Sequence, residues 1–196
     1  MVERPESKRK LSSDEDKLFV DRWNFIVNDN KIAIEFNNKP IKIIIKDVYS
    51  PFESTSLDPN STRKSILLRL PECWDTIFSC MEACVLHTVQ EKKLVQQVTN
   101  KKYSSEEIES NYKPVSHKRE QYPRNLRVKI NTTGSNKTRF WSKDRTLISD
   151  PIISELEGNA EILLKGIWTS SDGPWGIIAE CTHFQVSNAE IECPFE

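Results

Sequence analysis

Between residues 125 and 131, apolar and basic positions alternate: Leu126, Val128 and Ile130 against Arg127 and Lys129. A period of two predicts a strand with one face in a core and a cationic face outside. Partial alternation at 31–36, a run rich in β-branched residues at 41–48 and an apolar run at 64–70 stopped by Pro71 predict three more strands. Asn37, Asn38 and Lys39, between the first two runs, read as a hairpin turn. Apolar Leu18, Phe19, Trp23 and Ile26 fit either a short helix or a first strand. From 72 to 98 the period lengthens. Trp74, Ile77, Phe78, Met81, Val85, Val89 and Leu94 fall near helical spacing, with Pro71 just ahead of the first turn. Ser104, with Glu106 and Glu107 behind it, reads as the capped start of a short helix. Residues 161–168 and 175–180, joined by the polar turn 169–174, predict a long closing hairpin.

The sum is several strands of moderate length, one substantial helix in the middle and a final two-stranded hairpin. We read the fold as mainly β with an inserted helix, an OB-like Greek-key barrel. Residues 1–17 are charged and nearly free of large apolar side chains, which predicts a disordered arm. The rest divides into a single domain at 18–187, with a helical insertion at 72–112, and a short acidic tail at 188–196. Residues 50–63 have loop composition, and 151–158 have room for one helical turn.

Composition narrows the chemistry. The 196 residues include ten prolines against five glycines, which disfavours a glycine-cradled phosphate site. No Walker A, G-x-G-x-x-G, H-E-x-x-H or G-x-S-x-G motif occurs. The five cysteines include no C-x-x-C, and no histidine stands at a zinc-ligand spacing from them. We expect no catalytic residues, no metal and no cofactor. No apolar run reaches transmembrane length and no signal-peptide core follows the N-terminus, so an intracellular protein is expected.

The formal net charge of −1 hides a split. Residues 113–147 hold ten Lys/Arg against two Asp/Glu, while 148–196 hold one Lys against nine Asp/Glu. Such asymmetry marks a candidate nucleic-acid binder, although the two segments could also neutralise each other within the fold. Single strands are bound by aromatic faces for bases and cations for phosphates. The residues that fit are Arg127 and Lys129 on the alternating strand; Lys137, Arg139 and Lys143 around Trp141; and Lys165, Trp168 and Trp175 in the closing hairpin. Each tryptophan has a plainer role available as core. Trp168 and Trp175 could pair across the hairpin near its tip.

The sequence from Lys165 through Trp168, a polar turn, then Trp175 through Ile178, resembles the closing hairpin of OB-fold single-stranded DNA-binding proteins of bacteriophages and large DNA viruses. The resemblance covers about residues 120–187, taking in the basic strand and the aromatic-basic segment. It implies sequence-tolerant binding of single-stranded DNA in viral-type replication or recombination, at a host nucleus or other site of viral DNA replication. It also implies an acidic C-terminal tail that recruits replication proteins and competes for the DNA groove. Residues 190–196 are similar in kind but short, and they end in Glu196 rather than in the aromatic Phe195. The same residues would serve RNA, since stacking and phosphate contacts do not read the 2′-hydroxyl. Two other readings stand beside this one: a β-rich protein-interaction or structural module, such as a virion or scaffold component, and a metal-dependent nuclease.

Overall fold

The computed structural model describes residues 22–28, 31–51, 54, 62–149, 151, 153 and 155–187. The arm at 1–17 and the tail at 188–196, with most of the 50–63 loop, lie outside the described residues. The chain is mostly β with a few helices, and its sheet closes into a ring.

Five strands form that ring: β3 (Lys39–Tyr49), β4 (Arg63–Arg69), β7 (Asn125–Asn131), β10 (Glu157–Thr169) and β11 (Trp175–Val186). Going round, β3 pairs β4, β4 pairs β7, β7 pairs β11, β11 pairs β10, and β10 returns to β3. All contacts are antiparallel except β7 with β11, which run parallel. This is the OB-like barrel expected from the pattern of strands. Its interior is filled by alternate residues: Ile66 and Leu68 of β4; Leu126, Val128 and Ile130 of β7; Ile162 and Leu164 of β10; Ile177 and Ala179 of β11. The alternation read at 125–131 therefore has its apolar side in the barrel and its basic side out.

A hairpin of β1 (Trp23–Asn28) and β2 (Lys31–Phe36) flanks the ring. The ambiguous 18–26 stretch thus contributes a strand at its described end. Asn37 and Asn38 both take positive φ between β2 and β3, as a tight hairpin turn requires. Strand β10 leaves β3 and takes up β2 at Gly166, where a side chain would meet the Ile32 carbonyl oxygen at 2.2 Å. Only glycine permits that approach.

The helical insertion comes between the second and third barrel strands. It holds α1 (Trp74–Glu91), α2 (Leu94–Thr99) and α3 (Ser105–Asn111). The single long helix expected over 72–98 is two: Lys93 adopts a left-handed conformation (φ 52°) and ends the first. Phe78, Met81, Val85 and Val89 form the buried stripe of α1. Ser104 caps α3, with Glu107 completing a reciprocal capping box.

The strap that follows α3 shapes the surface. It carries two short strands, β5 (Tyr112–Lys113) and β6 (Ser116–His117). The parallel ladder between β7 and β11 has one registered pair, Lys129 with Glu180. Where the two strands part, β5 joins β11 at Trp175 and Gly176, and β6 joins β7 at Asn125 and Leu126. Beyond β7 the chain makes an excursion over 132–138 and resumes along β11 as β8 (Arg139–Trp141), which pairs with β9 (Leu147–Ile148). The basic strand and the aromatic-basic segment are thus successive pieces of one interrupted edge along β11.

Candidate nucleic-acid interface

The outward positions of β4 and β7 lie side by side. Ser65 is in register with Lys129, and Leu67 with Arg127. Neither strand contains an Asp or Glu. Arg127 is exposed and Lys129 half-buried, and among the described residues neither side chain makes a hydrogen bond or an ion pair. Both line an open groove with Ser65 of β4, Ile178 of β11, Lys113 of the strap and Trp168 of β10.

Helix α1 sets the strap that forms one wall of this groove. Glu82 accepts from the backbone amides of Val115 (2.9 Å) and Ser116 (3.1 Å), from the Tyr112 hydroxyl (3.1 Å) and from the Ser116 hydroxyl (3.1 Å). A carboxylate with four donors is well satisfied for its part-buried place. Burial, and then the Glu82 charge, push the Tyr112 phenol far above its ordinary value, so it stays a donor. Arg124 reinforces the seam by donating to Ser116 Oγ (2.7 Å) and Ser79 Oγ (2.6 Å). It is buried, so this member of the basic segment is structural.

The remaining sequence candidates separate. Lys165 is exposed but its Nζ lies 3.1 and 3.2 Å from the two Glu180 carboxylate oxygens. Its charge is therefore already opposed within the fold. Trp168 is half-buried with its indole over Gly176, where an added methyl would meet Trp168 Nε1 at 2.9 Å. Trp175 does not face a ligand: it is fully buried, donates from Nε1 to the Ile108 carbonyl (2.8 Å) and packs against Tyr112 at 4.7 Å between ring centres. Nor do the two hairpin tryptophans pair. The register sets Trp168 opposite Gly176 and Trp175 opposite Thr169.

Lys137, Arg139, Trp141 and Lys143 form a second group farther along β11. Arg139, Lys143 and Lys137 are exposed, and Lys137 Nζ lies 3.4 Å from the Ser149 carbonyl. Trp141 is half-buried, stacks on His183 with 6.0 Å between ring centres, and donates from Nε1 to His183 Nδ1 (3.0 Å). The structure thus gathers Arg127, Lys129 and Trp168. It leaves the Trp141 group on a separate flank and puts Trp175 in the core. Lys113 and Ser65 were not anticipated as groove residues. Nothing in the spacing of the strap marks it, because Glu82, far away in sequence, fixes its position.

No grouping of His, Cys, Asp and Glu suited to holding a metal ion occurs among the described residues. None of the described helices is long and apolar enough to cross a membrane.

No protein-family model matches the chain, and no curated protein matches it in sequence. Solved structures do. The single-stranded DNA-binding protein of bacteriophage Enc34, in complex with single-stranded DNA, superposes with a TM-score of 0.48 at 11% identity, over 84% of this chain and 94% of that one. The same phage protein in its own structure gives 0.48 at 10% identity, over 88% and 96%. The gp2.5 single-stranded DNA-binding protein of bacteriophage T7 gives 0.46 at 7% identity, over 79% and 97%.

Proposed function

We propose that this protein binds single-stranded DNA with little sequence preference, through the outward face of β4 and β7 and the groove beside β11. The observation that supports this most directly is the groove itself, where Arg127, Lys129 and Lys113 line the same opening as Trp168 with no carboxylate on β4 or β7 to oppose them. OB-type barrels bind oligonucleotides on the face of their second and third strands, which here are β4 and β7. Stacking on an aromatic adds about 1–3 kcal/mol per base, and lysine and arginine contacts neutralise phosphates. The groove, rather than the likeness to phage proteins, supports this reading. Its biological setting would be protection of exposed strands during replication or recombination of viral type, with replication proteins recruited by the acidic tail at 188–196.

The test is titration of a fluorescent oligothymidylate with the full chain at two salt concentrations. Binding should weaken steeply with salt, with a log–log slope of roughly −0.7 per phosphate contacted. Failure to bind single strands at low salt would end this reading and favour an interaction module. Parallel titration with an oligouridylate asks whether RNA serves equally.

A further inference from the structure

We propose that Tyr49 and Arg69 form a second seat for a nucleobase, on the opposite side of the β4–β7 face from the groove. This rests on the reading of that face as a surface for single strands. Tyr49 is the last residue of β3 and 37% exposed, pointing outward where Val48 points in. Arg69 is the last residue of the neighbouring strand β4 and its registered partner there. The guanidinium carbon lies 5.9 Å from the centre of the tyrosine ring. A cation over one face of an exposed aromatic holds the ring in place and leaves the pair as a flat, positively charged surface. Among the described residues Arg69 has no ion-pair partner.

The neighbours make this a continuation of the groove. Arg69 is in register with Asn125, and the next outward position of β4, Leu67, is in register with Arg127. From Tyr49, then, the surface runs through Arg69 to Arg127 and Lys129 with no acid on either strand. Aromatic faces end the path at Tyr49 and at Trp168, and cations occupy the space between. Bases at the two ends and phosphates between them match the two kinds of contact that a single strand requires. The occupant inferred at Tyr49 is therefore a stacked base of the same strand whose phosphates meet Arg127.

A plainer role is available. Tyr49 with Arg69 is the one registered pair joining β3 to β4, so the contact could serve the barrel alone. The experiment must separate the two. Oligothymidylate carrying 5-iododeoxyuridine is irradiated on the unmodified full chain, and cross-linked residues are located by mass spectrometry. We expect adducts on Tyr49 as well as on Trp168, both suppressed by unlabelled oligonucleotide. Adducts on Trp168 without Tyr49 would overturn the second seat while leaving the groove reading intact. Absence of binding altogether would remove the groove reading itself. In titrations, Tyr49→Ala should weaken binding by about tenfold and Tyr49→Phe by no more than about twofold. Equal affinity for Tyr49→Ala and the unmodified chain would also overturn the proposal.

Discussion

Strand β7 and the β8 flank look alike in sequence and differ in the fold. Both set lysine and arginine among apolar residues, and both run along β11. On β7, Arg127 and Lys129 face a groove and have no side-chain partner among the described residues. On the flank, the aromatic that made the segment attractive is engaged: Trp141 is stacked on His183 and bonded to it. The closing hairpin repeats the contrast, with Trp168 on the groove and Trp175 in the core. Composition marks what a segment could bind, whereas the neighbouring elements determine which of its side chains are left to do so.

The strongest way to break this contrast is to truncate the two hairpin tryptophans separately. Trp175→Ala removes a fully buried ring and orphans the Ile108 carbonyl. It should cost about 3–5 kcal/mol of stability, read from denaturant unfolding. Trp168→Ala should cost far less stability but about 1–3 kcal/mol of affinity for single strands. If Trp175→Ala folded normally and bound weakly, the assignment of the two rings would be reversed.

Charge is the next comparison. Arg127→Ala with Lys129→Ala should lower the magnitude of the log–log salt slope by about 1.4, two phosphate contacts' worth. The matched pair Lys137→Ala and Lys143→Ala should change it less. Equal changes would mean that the strand also follows the β8 flank, and the path from Tyr49 to Trp168 would then be incomplete.

The barrel was legible because its strands alternate cleanly and its turns carry chemistry that fixes them. Leu126, Val128 and Ile130 announce an inward face, Asn37 and Asn38 a hairpin, and Ser104 with Glu107 a helix start. The groove proposed as the site was legible only where its lining coincides with that alternation, at Arg127 and Lys129. Trp175 misleads because its cover comes from Ile108 and Tyr112, across a segment whose sequence looks irregular. Lys113 is invisible for the same reason: its strap is pinned by Glu82 across a separation of more than thirty residues, as the 33-residue interval to Val115 measures. Tyr49 escapes notice because its significance depends on Arg69 beside it. Contacts made at such separations leave no local period to read.

A smaller effect tests whether the flank is structural. Trp141→Phe keeps an aromatic ring but deletes the donor to His183 Nδ1. It should cost about 1 kcal/mol of stability, seen as a lower unfolding midpoint, with affinity for single strands unchanged. Loss of affinity at full stability would return Trp141 to the binding surface.

The smallest expected effect concerns the acidic side of the same flank. Glu161 accepts a hydrogen bond from the Thr182 hydroxyl (2.6 Å) and pairs with Lys42 (3.3 Å). The hydroxyl first, and then Lys42, hold its carboxyl below the ordinary value against an opposing desolvation cost, and the nearby His183 acts in the same direction. A carboxyl lowered on folding stabilises the native state at pH above its unfolded value, and that contribution is lost as pH falls through the lowered native value. Lowering the pH from about 7 to about 3 should therefore reduce the unfolding free energy of the unmodified chain more than that of Glu161→Gln. Glu161 is half-buried, but its partner Lys42 is largely exposed, so screening by solvent should keep the difference to a few tenths of a kcal/mol, shrinking with added salt. Because Glu161 stands on β10 beside β11 and away from Arg127 and Lys129, its substitution should leave the salt slope of single-strand binding where it was. A change in that slope would place Glu161 within reach of the bound phosphates and widen the surface beyond the groove.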